Sequence, residues 1–165
     1  MPLNPVFYGP WWRKLSEMLL AGQDGTRFEM APIAYQFPLA EDGYDLNWLI
    51  IRAKVATTAG HWGGTDPCLL TWELQGLCEW LQAQASDAEG AERDLEFLEP
   101  ELKFGLVDRV ENDVVLRITT RHSLLGLWGT RPPEDERSVS LRVSKDEVSR
   151  AAAELALEAK AFPQR

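Results

Sequence analysis

The sequence predicts an α+β domain: a mostly antiparallel, curved sheet of about eight strands with two helices packed on one face, in the order ββββα-ββββα. Three observations predict it. Short apolar–polar alternations recur along the chain, as half-buried strands require. Turn residues, above all the Asp-Gly step at Asp24-Gly25, close one run onto the next and imply antiparallel pairing. Two longer segments switch to a period of about 3.6, the mark of a helix with one buried face.

Residues 1–13, with three prolines and four aromatics (Phe7, Tyr8, Trp11, Trp12), read as an extension preceding a single domain over 14–165. Lys14–Ala21 and Thr26–Pro32 form the first hairpin, and 33–47 reads as a loop. Trp48–Thr58 is a strand with Leu49, Ile51, Ala53 and Val55 on one face and Trp48, Ile50, Arg52 and Lys54 on the other. His61–Thr65 returns as a short strand, with a bulge or turn at Gly63-Gly64. Asp66 and Pro67 suit the N-cap and first position of a helix whose stripe is Leu70, Leu74, Leu77, Cys78 and Leu81. A small-residue, acidic loop spans 83–93.

The second half repeats the order without a residue-level repeat. Strands are expected over Asp94–Glu99, Glu101–Val107 and Val114–Arg121, with Pro100 forcing a bend or an edge. A long connection over 122–137 leads to a strand at Ser138–Val143. Ser144 and Glu147 then form a capping box for a helix with the stripe Val148, Ala151, Ala152, Leu155 and Ala159.

The net charge of −9 is concentrated. Residues 61–100 hold nine acids and one base, whereas 101–165 hold eleven of each. That distribution argues against nucleic acid as a partner, which needs a basic face. It favours a basic protein, because a one-sign patch steers an opposite-sign partner. A solvated acidic loop is the plainer alternative. No run of about 18 apolar residues is present to span a membrane, and the N-terminus lacks the pattern of a secretory signal.

Catalytic signatures are absent: no phosphate loop, dinucleotide fingerprint, zinc-protease helix or nucleophile elbow appears. No cofactor and no metal is expected. Cys68 and Cys78 read as buried free thiols in a reducing compartment, and His61 and His122 as surface or hydrogen-bonded side chains. Glu73 and Glu99 would suit general acid chemistry if buried together, and otherwise accept hydrogen bonds from nearby backbone amides or an arginine. An enzyme using them is the least favoured reading. The seven tryptophans point to a surface or to a second core. The candidate partner surface comprises Asp87, Glu89, Glu92, Asp94 and Glu96 with Trp72, Trp80, Leu124, Leu125, Leu127 and Trp128. The alternative is a small-ligand or peptide-binding module with a Trp-lined groove.

Four stretches in order carry a family resemblance. The first is Tyr35-Gln36-Phe37-Pro38 with Tyr44-Asp45-Leu46-Asn47-Trp48-Leu49. The second is Thr65-Asp66-Pro67-Cys68-Leu69 running into Trp72-Glu73-Leu74 and Trp80-Leu81. The third is Phe97-Leu98-Glu99-Pro100-Glu101-Leu102-Lys103-Phe104, and the fourth Phe162-Pro163-Gln164-Arg165. Together they resemble the WapI family of bacterial immunity proteins, which protect against contact-dependent toxins; residues 1–13 and the 122–137 loop stand outside that pattern. The resemblance implies tight, non-catalytic binding of a cognate toxin domain in the cytoplasm. Nucleases with basic clefts are common among such toxins, and the acidic patch would take the place of their phosphates.

Overall fold

The computed structural model describes residues 17–39, 43–126 and 135–165. The expected 1–13 extension, the start of the first hairpin at 14–16, and Leu127 and Trp128 lie outside the described residues.

The first hairpin joins β1 (Met18–Ala21) to β2 (Arg27–Tyr35). Its turn is built as the Asp-Gly step requires: Gly25 takes φ +89°, and the Asp24 carboxylate accepts from the Thr26 amide at 2.9 Å. A single 3₁₀ turn, Tyr44–Asn47, then delivers β3 (Trp48–Thr57), in which Leu49, Ile51, Ala53 and Val55 are buried as the alternation demands. β4 runs from Gly60 to Leu70, well past the short strand expected.

That length overturns the expected helix start at Asp66-Pro67. Ile51 pairs with Asp66 but Leu49 with Leu69, so Pro67 and Cys68 share a bulge opposite one residue of β3. A proline costs no ladder bond at a bulge on an edge strand. The strand therefore continues to Leu70, and α1 occupies Thr71–Ala85. Its first turn is capped from within: the Glu73 carboxylate accepts from the Leu70 amide at 2.9 Å. The stripe Leu70, Leu74, Leu77, Cys78 and Leu81 is buried throughout, as its period predicts.

The second half follows as β5 (Asp94–Glu96), β6 (Leu102–Val110), β7 (Asp113–Arg121), β8 (Glu136–Ser144) and α2 (Lys145–Ala159). Pro100 and the capture of the Leu98 amide by Glu73 at 2.7 Å end β5 early. Ser144 and Glu147 form the expected capping box: the Ser144 hydroxyl accepts from the Glu147 amide at 3.2 Å.

The order ββββα-ββββα is as the sequence predicts, with the strands divided between two four-stranded antiparallel sheets, β1-β2-β3-β4 and β5-β6-β7-β8. One apolar core joins both sheets and the two helices, which pack on each other. Phe28 of β2 meets Phe104 of β6 edge to face at 5.7 Å, and Trp80 of α1 closes on Phe104 at 6.1 Å. Gly63 and Gly64, expected at a bulge or turn, pair regularly with Lys54 and Ala53. Gly64 lies against the Ser123 carbonyl, so the glycine admits a close backbone approach.

Candidate functional site

Charge is redistributed when the chain folds. α1 ends with Asp87 in the left-handed region at φ +52°, and the Ala88 amide donates back to the Ala83 carbonyl at 3.1 Å. This turn aims the Asp87 carboxylate at Arg109 of β6 and Lys145 of α2, and it pairs with both. Glu96 pairs with Lys103 across β5 and β6. Two of the five acids in the predicted patch are thus neutralised by bases from the second half. Glu89, Glu92 and Asp94 stay exposed, with no ion pair from their carboxylates among the described residues.

These pairs contribute to the acid response of the fold. The hydrogen bond from Lys145 holds the Asp87 carboxyl below its ordinary 3.8, and that from Lys103 holds Glu96 below 4.5. Arg142, with Gln23, does the same for Asp113. A lowered folded-state pKa contributes stability above the unfolded value and loses it as pH falls through the folded value. Urea midpoints should therefore hold steady from neutral pH to about pH 5 and fall below about pH 4. Asp87→Asn should remove part of that acid-limb slope, and an unchanged slope would refute the assignment.

The apolar part of the predicted surface is corrected. Trp80 is only 6% exposed, packed on Phe104, with its indole N–H donating to the Glu92 carbonyl at 2.9 Å. Leu124 and Leu125 are core residues, held by a 3₁₀ turn against β4. A loop setting and a flank of the helical stripe suggested the partner surface, with a core as the alternative; nonlocal packing decides for the core. Trp72 is 39% exposed, beside Phe162 and Pro163.

A second acidic surface, missed from the sequence, forms where the segment after β2, the 3₁₀ turn, the start of β3, the β4 bulge and the segment after β5 line one groove. Gln36, Phe37, Asp45, Trp48, Asp66, Pro67 and Glu99 line an open groove of about 380 Å³. All seven residues come from the first three stretches that carry the family resemblance. The fourth stretch buttresses the groove. Asn47 bonds both main-chain groups of Arg165, at 2.9 and 3.1 Å, and accepts from the Thr71 hydroxyl at 2.9 Å. The Arg165 guanidinium sits 4.8 Å over the Tyr35 ring and donates to the Pro38 carbonyl. The convergence of those stretches was the available signal, but only the fold shows that they meet.

The carboxylates of Asp45, Asp66 and Glu99 make neither ion pair nor hydrogen bond among the described residues, and the Trp48 indole N–H donates to none of them. Among the described residues, no three His, Cys, Asp or Glu side chains converge as a metal ion requires. Glu73, the other carboxylate considered for acid chemistry, is occupied by the Leu70 and Leu98 amides. His61 is exposed, and His122 contacts Glu101 at 3.2 Å. Both cysteines are buried free thiols; burial pushes Cys78 up to about 11 and Cys68 further still. No described helix is long and apolar enough to cross a membrane.

A family model described as immunity protein WapI-like matches residues 18–163. No curated protein and no solved structure matches the chain.

Proposed function

We propose, from the premise that the chain belongs to the immunity protein WapI-like family, that it neutralises a cognate toxin domain by direct, non-catalytic binding. The observation that carries this reading is the extent of the match, which takes in both sheets and both helices. The surface chemistry supports a basic partner. Glu89, Glu92 and Asp94 are exposed in the segment between α1 and β6, and their carboxylates form no ion pair among the described residues. A run of this sign steers a cationic protein surface, and a nuclease cleft shaped for phosphate is such a surface. On this reading the protein meets its toxin in the cytoplasm.

The test is co-expression with the C-terminal domain of a toxin encoded beside this chain, scored by growth and by binding of the purified pair. Protection and a stable complex are expected. Glu89→Lys/Glu92→Lys/Asp94→Lys should slow association and flatten its salt dependence, because exposed charges act mainly on the on-rate. An association rate identical to wild type at low salt would remove the acidic run from the mechanism. No complex with the wild-type chain would sink the immunity reading for that toxin.

A further inference from the structure

The two sheets leave four edge strands, β1, β4, β5 and β8. An edge presents unpaired main-chain N–H and C=O groups, a template for a further strand, so folds shorten, break or cover it. Three of the four edges are blunted in this way. β1 has four residues and β5 three. β4 is bulged at Pro67-Cys68, and the 3₁₀ turn His122–Leu125 packs on it, with the Ser123 carbonyl against Gly64. β8 is nine residues long, keeps one register with β7 throughout, and contains neither proline nor glycine. The turn of the first hairpin covers one end of it, where the Gln23 amide donates to the Arg142 carbonyl at 3.0 Å. That bond also fixes the parity of the strand. A strand residue turns its N–H and C=O to the same side, so Glu136, Ser138 and Ser140 point theirs outward as Arg142 does. Among the described residues, no main-chain hydrogen bond reaches those outward groups of Glu136, Ser138 or Ser140. All three residues are exposed.

Arg117 lies one strand in, on the same face as those side chains. Its cross-strand neighbours are Gly105 and Ser140, both uncharged and small. Among the described residues it is the one arginine with no ion pair, hydrogen bond or ring contact. Glu136 holds Arg121 through Oε2, at 2.5 and 2.7 Å, and its Oε1 has no partner among the described residues. From this arrangement we infer that β8 is an interface between two copies of this chain, paired antiparallel about a twofold axis at Ser138. The covered Arg142 end limits the ladder to Glu136–Ser140, and Ser138 is the centre of that stretch. Ser138 then faces its own copy, and Glu136 of one copy faces Ser140 of the other, each pair exchanging main-chain hydrogen bonds. Across Ser140, Arg117 of one copy and Glu136 of the other have Cα atoms about 10 Å apart, a span that their two side chains bridge. One surface thus supplies both halves of the ion pair, as an isologous contact requires. The acid surplus of the chain does not oppose it locally. β8 carries Glu136, Arg137 and Arg142, whereas Asp94 and Glu96 sit on β5, the far edge of the same sheet.

Sedimentation equilibrium of the full chain, in a concentration series reaching about 1 mM, tests this. A reversible monomer–dimer equilibrium is expected. Ser140→Pro removes an N–H that faces the open edge, so the chain keeps its own ladder while the dimer loses a bond at each symmetry-related pair. Its dimer Kd should rise about tenfold or more, with circular dichroism unchanged. Arg117→Glu and Glu136→Arg alter exposed side chains, and each should weaken self-association by setting like charges across Ser140. Mixing those two chains should restore a dimer, now a heterodimer, because both junctions then join opposite charges. The mixing experiment decides the matter if the proline variant does not fold. A monomer at every concentration, a dimer indifferent to all three substitutions, or no recovery on mixing would overturn the interface. So would amide protection of Ser138 and Ser140 by the toxin domain on a chain that is monomeric alone, which assigns the edge to a partner's strand. None of these results bears on the immunity reading, which is decided by protection and toxin binding.

Discussion

Phe104→Ala is expected to cost about 3–5 kcal/mol of folding free energy, the range for deleting a fully buried phenyl ring. Three other aromatic rings converge on Phe104: Phe28 from the first sheet at 5.7 Å, Trp80 from α1 at 6.1 Å, and Phe97 from the segment after β5 at 6.3 Å. Its side chain is fully buried, and every ring that contacts it is anchored on a different element. Collapse into the cavity would require a sheet or helix to move, so little of the loss is recovered. Against a total stability of roughly 5–15 kcal/mol, the variant should melt on the order of 10 °C lower. Denaturant unfolding checks this: the midpoint should fall with little change in slope. Phe104→Leu, which keeps most of the volume, should lose clearly less. A loss under about 1 kcal/mol for the alanine variant would place the junction of the sheets elsewhere.

Gly64→Ala is expected to be nearly as damaging although it adds one methyl group. A Cβ at position 64 would fall inside contact distance of the Ser123 carbonyl oxygen, 3.1 Å from its carbon and 3.3 Å from Leu124 Cα. Those atoms are backbone, so no rotamer change relieves the overlap. Either β4 or the 3₁₀ turn carrying Leu124 and Leu125 must shift, and both leucines are core residues. Overpacking of this kind costs about 1–3 kcal/mol, and backbone on both sides puts Gly64 at the upper end. The neighbouring hydrogen bond from the Trp62 indole to the Thr120 hydroxyl, 2.9 Å and buried, should loosen and change the near-ultraviolet circular dichroism. Gly76→Ala is the matched control. Its Cβ would meet open space in the middle of α1, so the same change should stabilise by roughly 0.5–1 kcal/mol. Equal effects at the two glycines would refute the steric argument.

Periodic and capping features were legible because they are local. The alternation of β3, the stripes of both helices and the Ser144–Glu147 box depend on residues within a few positions of one another, and backbone geometry alone sets those spacings. Class and element order followed from them. The start of α1 was misread because Asp66-Pro67 is as good a helix opening as a bulge on an edge strand, and only pairing with β3 chooses between them. The acidic run looked uniform for a similar reason. Asp87 meets Arg109 and Lys145, and Trp80 meets Phe104, across separations that no local pattern reports.

By itself, then, the sequence determined the family, the two ββββα halves and the sign of the surface charge. Tertiary structure decided which charges stay unpaired, which indoles face water, and that Asp45, Trp48, Asp66 and Glu99 share one groove. The physical reason is that burial and ion pairing belong to contacts between distant segments, and these exist only once the two sheets have closed on a common core.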